Sequence, residues 1–148
     1  MPRSKLTTAA RIFMGAIFLV FGLNGFFHFL PTPPMSGPAA AFMGGMMTAG
    51  YFLPLLKGTE VVVGALLLSG RFVPLALTVI APVLVNIVAF HLAFAPQGLA
   101  IPVLLLGAEL YLAWSNKNAF AGLLRARPAP VTTDAKDPKD ARTALAAA

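Results

Sequence analysis

A chain of 148 residues that is 58% hydrophobic and only 11% charged does not have the composition of a soluble domain, in which about a quarter of the residues are charged. Its net charge of +6 comes mainly from basic residues near the two ends, so it does not predict nucleic-acid binding. The absence of cysteine excludes disulfide relays, thiolate metal sites and cysteine nucleophiles. These totals predict a small all-α protein embedded in the lipid bilayer.

The chain begins with a short basic cytoplasmic segment, residues 1–11, and continues into an apolar run at 12–30. This run is longer than the roughly 7–15 apolar residues of a cleaved signal peptide, so we predict an uncleaved first span. A cleaved signal that ends near 39–41 is the alternative. Residues 31–50 contain four prolines and no charge, which predicts an external segment with a short or re-entrant helix at 39–48.

Three further apolar segments follow, at 52–69, 72–94 and 99–114. Arg71 lies in the turn between the first two, and Lys117 lies just beyond the third. Because basic residues flank the spans on one side only, the positive-inside rule predicts an N-in, C-in topology with four spans.

The sequence therefore predicts an integral membrane four-helix bundle over residues 12–120. Pro82 lies in the middle of the third span, where proline kinks a helix. From residue 121 to 148 the composition shifts to Ala, Pro, Thr, Lys and Asp, which predicts a disordered cytoplasmic tail.

Polar side chains within these spans are the candidate functional residues. A charge at the centre of a span costs roughly 2.5–3.5 kcal/mol, so such residues usually face the protein interior. Helical rise and the predicted topology place six of them in the outer half of the membrane and Glu109 deeper. The six are Asn24, His28, Lys57, Glu60, Asn86 and His91. We predict that they meet in one chamber close to the extracytoplasmic surface.

Two interpretations fit the pair formed by Lys57 and Glu60, which are three residues apart on one helix face. The two charges can neutralise each other and fix the packing of the helix. Alternatively, Glu60 accepts protons and Lys57 provides a counter-charge for an anionic head group. Glu109 is similarly open: it is either a second proton-transfer group or a hydrogen-bonded tie between helices.

The two histidines, His28 and His91, are predicted on different helices near the same membrane face. They fit four roles: interfacial hydrogen bonding, binding of quinone oxygens, joint axial ligation of a haem, or a Zn²⁺ or Fe²⁺ site together with Glu60. Asn24 and Asn86 suit hydrogen bonds between helices better than ligand binding. Asn86 and His91 are five residues apart, roughly 140° around a regular helix, so a kink is needed for both to point inward.

The methionines at 43, 46 and 47, with Met35 nearby, have the spacing of one helical face. Thioethers in this arrangement can bind Cu(I). Methionine stripes more often form the apolar lining of an adaptable pocket, and we predict that role here.

Four runs, at 24–31, 51–60, 86–91 and 95–98, resemble the DoxX family of small bacterial four-helix membrane proteins. The resemblance covers about residues 10–120. The family is named for a subunit of an archaeal thiosulfate:quinone oxidoreductase. The resemblance implies a multi-pass protein of the bacterial inner membrane, linked to an oxidoreductase complex and to quinone, and it carries over no catalytic residues.

The first functional hypothesis is a quinone-associated subunit of a membrane oxidoreductase, which receives electrons from a partner protein. Glu60 and Glu109 would transfer protons. The predicted ligand-binding residues are His28, His91, Lys57, Asn24 and Asn86. The second hypothesis is a non-enzymatic membrane interaction or scaffold protein whose buried polar residues are structural. A small transporter or proton channel is a third class, and a homo-oligomer is compatible with all three.

Overall fold

A computed structural model describes residues 4–31 and 34–121. These residues contain helices and no strands, which confirms the all-α prediction. The helices are α1 (Lys5–Phe27), α2 (Gly37–Thr48), α3 (Phe52–Ser69), α4 (Val73–Phe94), a 3₁₀ turn (Pro96–Gly98), α5 (Ala100–Ser115) and α6 (Lys117–Phe120). The predicted cytoplasmic tail lies outside the described residues, apart from Ala121.

Three of these helices, α1, α3 and α4, are long and apolar enough to cross a membrane. Helix α5 is also apolar but has 16 residues, about 24 Å of helix, which is shorter than a hydrocarbon core of about 30 Å. Large apolar side chains cover the outside of the packed helices. Six that are more than half exposed are Leu55, Val62, Leu75, Val85, Leu104 and Leu110. This combination indicates a membrane protein.

Helix α1 has different bounds from the predicted first span at 12–30. It begins at Lys5 because the Ser4 side chain accepts a hydrogen bond from the Thr7 backbone N–H, 3.1 Å away. It ends at Phe27 because His28 has a left-handed conformation with φ 51°. Asn24 Oδ1 also accepts a hydrogen bond from the Leu30 N–H at 2.6 Å. Local capping thus sets both ends, independently of hydropathy.

Arg11 joins the start of α1 to the end of α3. Its Nη1 donates hydrogen bonds to the carbonyl oxygens of Leu67 and Leu68. The last carbonyls of a helix have no partner within the helix, and a cation there is also favoured by the helix dipole. From its position in the sequence Arg11 is only a flanking positive charge, whereas the structure makes it a cap of α3.

Arg11→Ala is expected to lower the free energy of unfolding by about 1–3 kcal/mol, because two carbonyl oxygens lose a charged donor. The measurement is unfolding of the detergent-solubilised protein by SDS. Arg71→Ala removes an exposed arginine from the same end of the molecule and should leave stability within about 0.5 kcal/mol. Equal effects of the two substitutions would show that Arg11 acts only through net charge.

Neighbouring long helices pack antiparallel to each other. Helix α1 contacts α3 and α5, and α4 contacts the same two helices. At one end of the molecule the Tyr111 hydroxyl near the end of α5 lies 3.1 Å from Thr7 Oγ1 in the first turn of α1. Arg11 and Arg71 lie at this end as well, which we call the basic end. Core residues from all four helices, including Met14, Phe18, Leu67, Ile80 and Leu112, are fully or almost fully buried between them.

Candidate functional site

A cavity of about 340 Å³ lies between the packed helices in the half opposite the basic end. It is bounded by the middle of α1, the first halves of α3 and α5, the second half of α4, and α2, which lies across it. Its lining is mainly apolar: Ile17, Phe18, Phe21, Phe42, Met43, Met46, Leu53, Leu56, Val83, Ile87, Phe90, Gly98, Ile101, Pro102 and Leu105.

Four polar side chains complete the lining: Lys57, Glu60, Asn86 and His91. The structure therefore brings together four of the seven residues singled out from the sequence. They come from α3 and α4 only. The lining residues of α1, α2 and α5 are all apolar, and the 3₁₀ turn contributes Gly98.

Lys57 forms an ion pair with both carboxylate oxygens of Glu60. Lys57 Nζ donates to Glu60 Oε1 at 3.0 Å and to Oε2 at 2.9 Å. The Glu60 side chain is 3% exposed and that of Lys57 is 26% exposed. The carboxylate is thus buried and satisfied by the lysine, while the ammonium group keeps one N–H beyond the two hydrogen bonds of the pair.

His91 is held in place by its own helix. Its Nδ1 lies 2.8 Å from the carbonyl oxygen of Ile87, one turn earlier. The Phe90 ring is edge-on to the imidazole, with 5.5 Å between ring centroids. At Gly98 a side chain would begin 3.0 Å from Cδ2 and 3.2 Å from Nε2 of His91. Because Gly98 has no side chain, the imidazole ring can pack beside the 3₁₀ turn.

Asn86 lines the cavity but is largely exposed, whereas His91 is half-buried. The angle of roughly 140° between these positions explains the difference, because the two side chains cannot both point at the centre of the packed helices.

Two predicted site residues, Asn24 in α1 and His28 directly after it, do not line the cavity. Asn24 is occupied in the turn that ends the helix, where its side chain accepts from the Leu30 N–H. His28 follows as the left-handed C-cap and is exposed. The cavity therefore does not include these two residues of the predicted chamber. The helix ends before His28, so that side chain is not carried along the helix face towards His91.

Glu109 is also outside the cavity lining. It is 6% exposed and lies on the face of α5 that also carries the buried Leu105 and Leu112. Among the described residues, its Oε2 has no hydrogen-bond partner. A tie between helices, one of the two roles considered for Glu109, is thus not made through this oxygen.

Helix α2 contributes cavity residues that the sequence analysis identified only in part. Met43 and Met46 line the cavity as the methionine spacing predicted, but Met47 is 65% exposed and lies outside the lining. Phe42 was not singled out, and its ring centroid lies 5.5 Å from that of Phe90. Together with Phe94 these rings attach α2 to the end of α4. No local pattern in the sequence indicates this contact, because it joins residues about fifty positions apart.

Within residues 4–31 and 34–121, no three His, Asp or Glu side chains are grouped closely enough to hold one metal ion. The set of His28, His91 and Glu60, one of the alternatives considered for the two histidines, is thus not assembled, and His28 lies outside the cavity lining.

Comparisons of the chain with protein-family models, with curated proteins and with solved structures gave no match.

Proposed function

We propose that the chain is a multi-pass protein of the bacterial inner membrane in which α1, α3, α4 and α5 form an N-in, C-in four-helix bundle. The basic end carries Arg11, Arg71 and, beyond α5, Lys117, whereas the turn at the opposite end of α4 is uncharged. This asymmetry supports a cytoplasmic basic end by the positive-inside rule. The resemblance to DoxX proteins supports the same architecture.

Within this membrane protein, we propose that the cavity binds the head group of a lipid-soluble quinone. The observation that carries the proposal is an apolar cavity of about 340 Å³ with a few polar groups from α3 and α4. Ligand pockets typically have about 300–1,000 Å³ and mostly apolar walls, with few polar groups that fix orientation. In the proposed topology the cavity lies in the outer half of the bilayer, where an amphiphile can enter from the lipid.

The polar residues fit the oxygens of such a head group. Lys57 can donate from its remaining N–H, and the Asn86 amide can donate or accept. Glu60 accepts two hydrogen bonds from Lys57. It is the carboxylate next to the cavity, so it can exchange a proton with a ligand bound there. A bound quinone would supply two-electron, two-proton redox chemistry. The electrons would come from a partner protein.

A substitution on α2 that fills the cavity tests the proposed quinone binding. Purified protein in detergent is titrated with decylubiquinone, and wild type is expected to bind saturably with one molecule per chain. Met46→Trp places a large ring in the cavity and should weaken binding roughly tenfold or more, as overpacking costs about 1–3 kcal/mol. Met47→Trp is the matched control, because Met47 is the adjacent, exposed residue outside the lining.

Both variants must retain the unfolding midpoint of wild type for the comparison to count. Equal binding by the two tryptophan variants would contradict a site in this cavity. Absence of saturable binding to wild type would favour the second candidate, a membrane interaction protein. The mutually satisfied Lys57–Glu60 pair favours that candidate, since it already has the form of a structural ion pair.

A further inference from the structure

The hydrogen bond between His91 and Ile87 fixes which imidazole nitrogen carries the proton. The Ile87 group is a backbone carbonyl, which can only accept a hydrogen bond. Nδ1 lies 2.8 Å from this oxygen and must therefore be the donor. A neutral histidine has one N–H, so Nε2 then has a free lone pair and no hydrogen.

The free Nε2 belongs to the part of the ring that faces away from Ile87. Nε2 and Cδ2 are the ring atoms closest to Gly98, which also lines the cavity. The ring is half-buried and packs against Phe90. Rotation of the ring by 180° about its Cβ–Cγ bond would sacrifice the bond to Ile87. The tautomer and the orientation are therefore coupled.

We propose that His91 acts in this cavity as a hydrogen-bond acceptor and selects a ligand that carries a hydroxyl group. This inference rests on the proposed quinone site and defines its preference: the reduced, dihydroxy form binds more tightly than the oxidised, dicarbonyl form. A hydroxyl can donate to Nε2, whereas a carbonyl oxygen beside Nε2 would set two acceptors against each other.

The remaining polar groups do not cancel this preference. The Lys57 ammonium only donates, and it can donate to a hydroxyl oxygen as well as to a carbonyl oxygen. The Asn86 amide can serve either form. Among the four polar lining residues, Glu60 has both carboxylate oxygens hydrogen-bonded to Lys57, and its side chain is only 3% exposed. The half-buried His91 is thus the more accessible acceptor for a hydroxyl, and it distinguishes the two forms.

The binding experiment compares decylubiquinone with decylubiquinol under argon at pH 8.5, above the range of roughly pH 5–8 in which histidines usually change charge. Wild type is expected to bind the quinol about tenfold more tightly, the factor that one ordinary hydrogen bond provides. His91→Phe should bind the quinol about tenfold more weakly than wild type does, whereas its affinity for the quinone should stay within about twofold of the wild-type value. His28→Gln changes the exposed histidine outside the cavity and should retain the wild-type preference.

A second measurement tests the tautomer without any ligand. The chain has two histidines, so His28→Gln labelled with ¹⁵N-histidine gives the signals of His91 alone. Long-range ¹H–¹⁵N correlation spectra are expected to show the hydrogen on Nδ1. A hydrogen on Nε2 would overturn the inference, whatever the ligand.

The outcomes separate this inference from the proposed function. Equal or tighter binding of the quinone in wild type overturns the selection by His91 and leaves the quinone site standing. Failure of both forms to bind overturns both proposals. A preference for the quinol that persists in His91→Phe also overturns the role of His91.

Discussion

Gly64→Ala is expected to lower the free energy of unfolding by about 3 kcal/mol, the upper end of the usual cost of overpacking. A Cβ at this position would lie 2.5 Å from the Leu19 backbone nitrogen and 2.9 Å from the Gly15 carbonyl oxygen. Both are backbone atoms of α1, so no side-chain rotation can relieve the clash. Helices α1 and α3 would have to separate along the most extensive helix pair of the molecule.

Unfolding by SDS in mixed micelles, followed by far-ultraviolet circular dichroism, measures this effect. Gly58→Ala is the matched control, because Gly58 lies on the same helix and, within the described part of the chain, its added Cβ would have no neighbour within 4 Å apart from its own helix backbone and adjacent residues. The control should be neutral or slightly stabilising, since alanine is a better helix former than glycine. A similar loss in both variants would mean that helix α3 itself, and not its contact with α1, is sensitive to the substitution.

Lys57→Met is expected to destabilise the protein by about 3–5 kcal/mol, the usual cost of leaving one partner of a buried ion pair without the other. The Glu60 side chain is 3% exposed, so its carboxylate cannot regain solvation by a small movement. The double variant Lys57→Met/Glu60→Leu removes both charges from the apolar surroundings. Its stability should lie within about 1–2 kcal/mol of wild type.

These stabilities are measured in the same micelles, with Lys117→Met as the control for loss of an exposed lysine. The double variant also separates the two interpretations of the pair. A folded double variant that no longer binds decylubiquinol supports a role of Lys57 and Glu60 in the ligand site. A folded double variant with wild-type binding assigns the pair to structure alone. A double variant less stable than Lys57→Met contradicts the buried-pair explanation.

The helices could be predicted from the sequence because hydropathy and capping act locally. The run at 52–69 has the bounds of α3, and the predicted short helix at 39–48 falls within α2. Helix α1 begins nearly two turns before the predicted span at 12–30, because Ser4 sets the helix start by capping whereas the predicted span followed hydropathy. This helix start has a local signal, since serine is among the residues preferred at N-caps.

Only part of the candidate site could be predicted from the sequence. Helical spacing put Lys57 and Glu60 within reach of each other, and the structure pairs them. Depth arguments placed His28 at the level of His91, but depth does not specify direction, and the turn at Asn24 leaves His28 exposed. The position of α2 over the cavity depends on contacts of Phe42 with rings about fifty residues later in the chain, which no local pattern encodes.

The sequence by itself determined the all-helical class, the apolar helices that indicate a membrane protein, and the few polar residues that such helices contain. These properties follow from side-chain hydration and from helical periodicity, which depend on neighbouring residues only. The tertiary structure decided which polar residues share a cavity, that Arg11 caps α3, and that Gly64 lies against the backbone of α1. Those outcomes depend on how the helices rotate and approach one another, because packing between distant segments fixes the direction in which each side chain points.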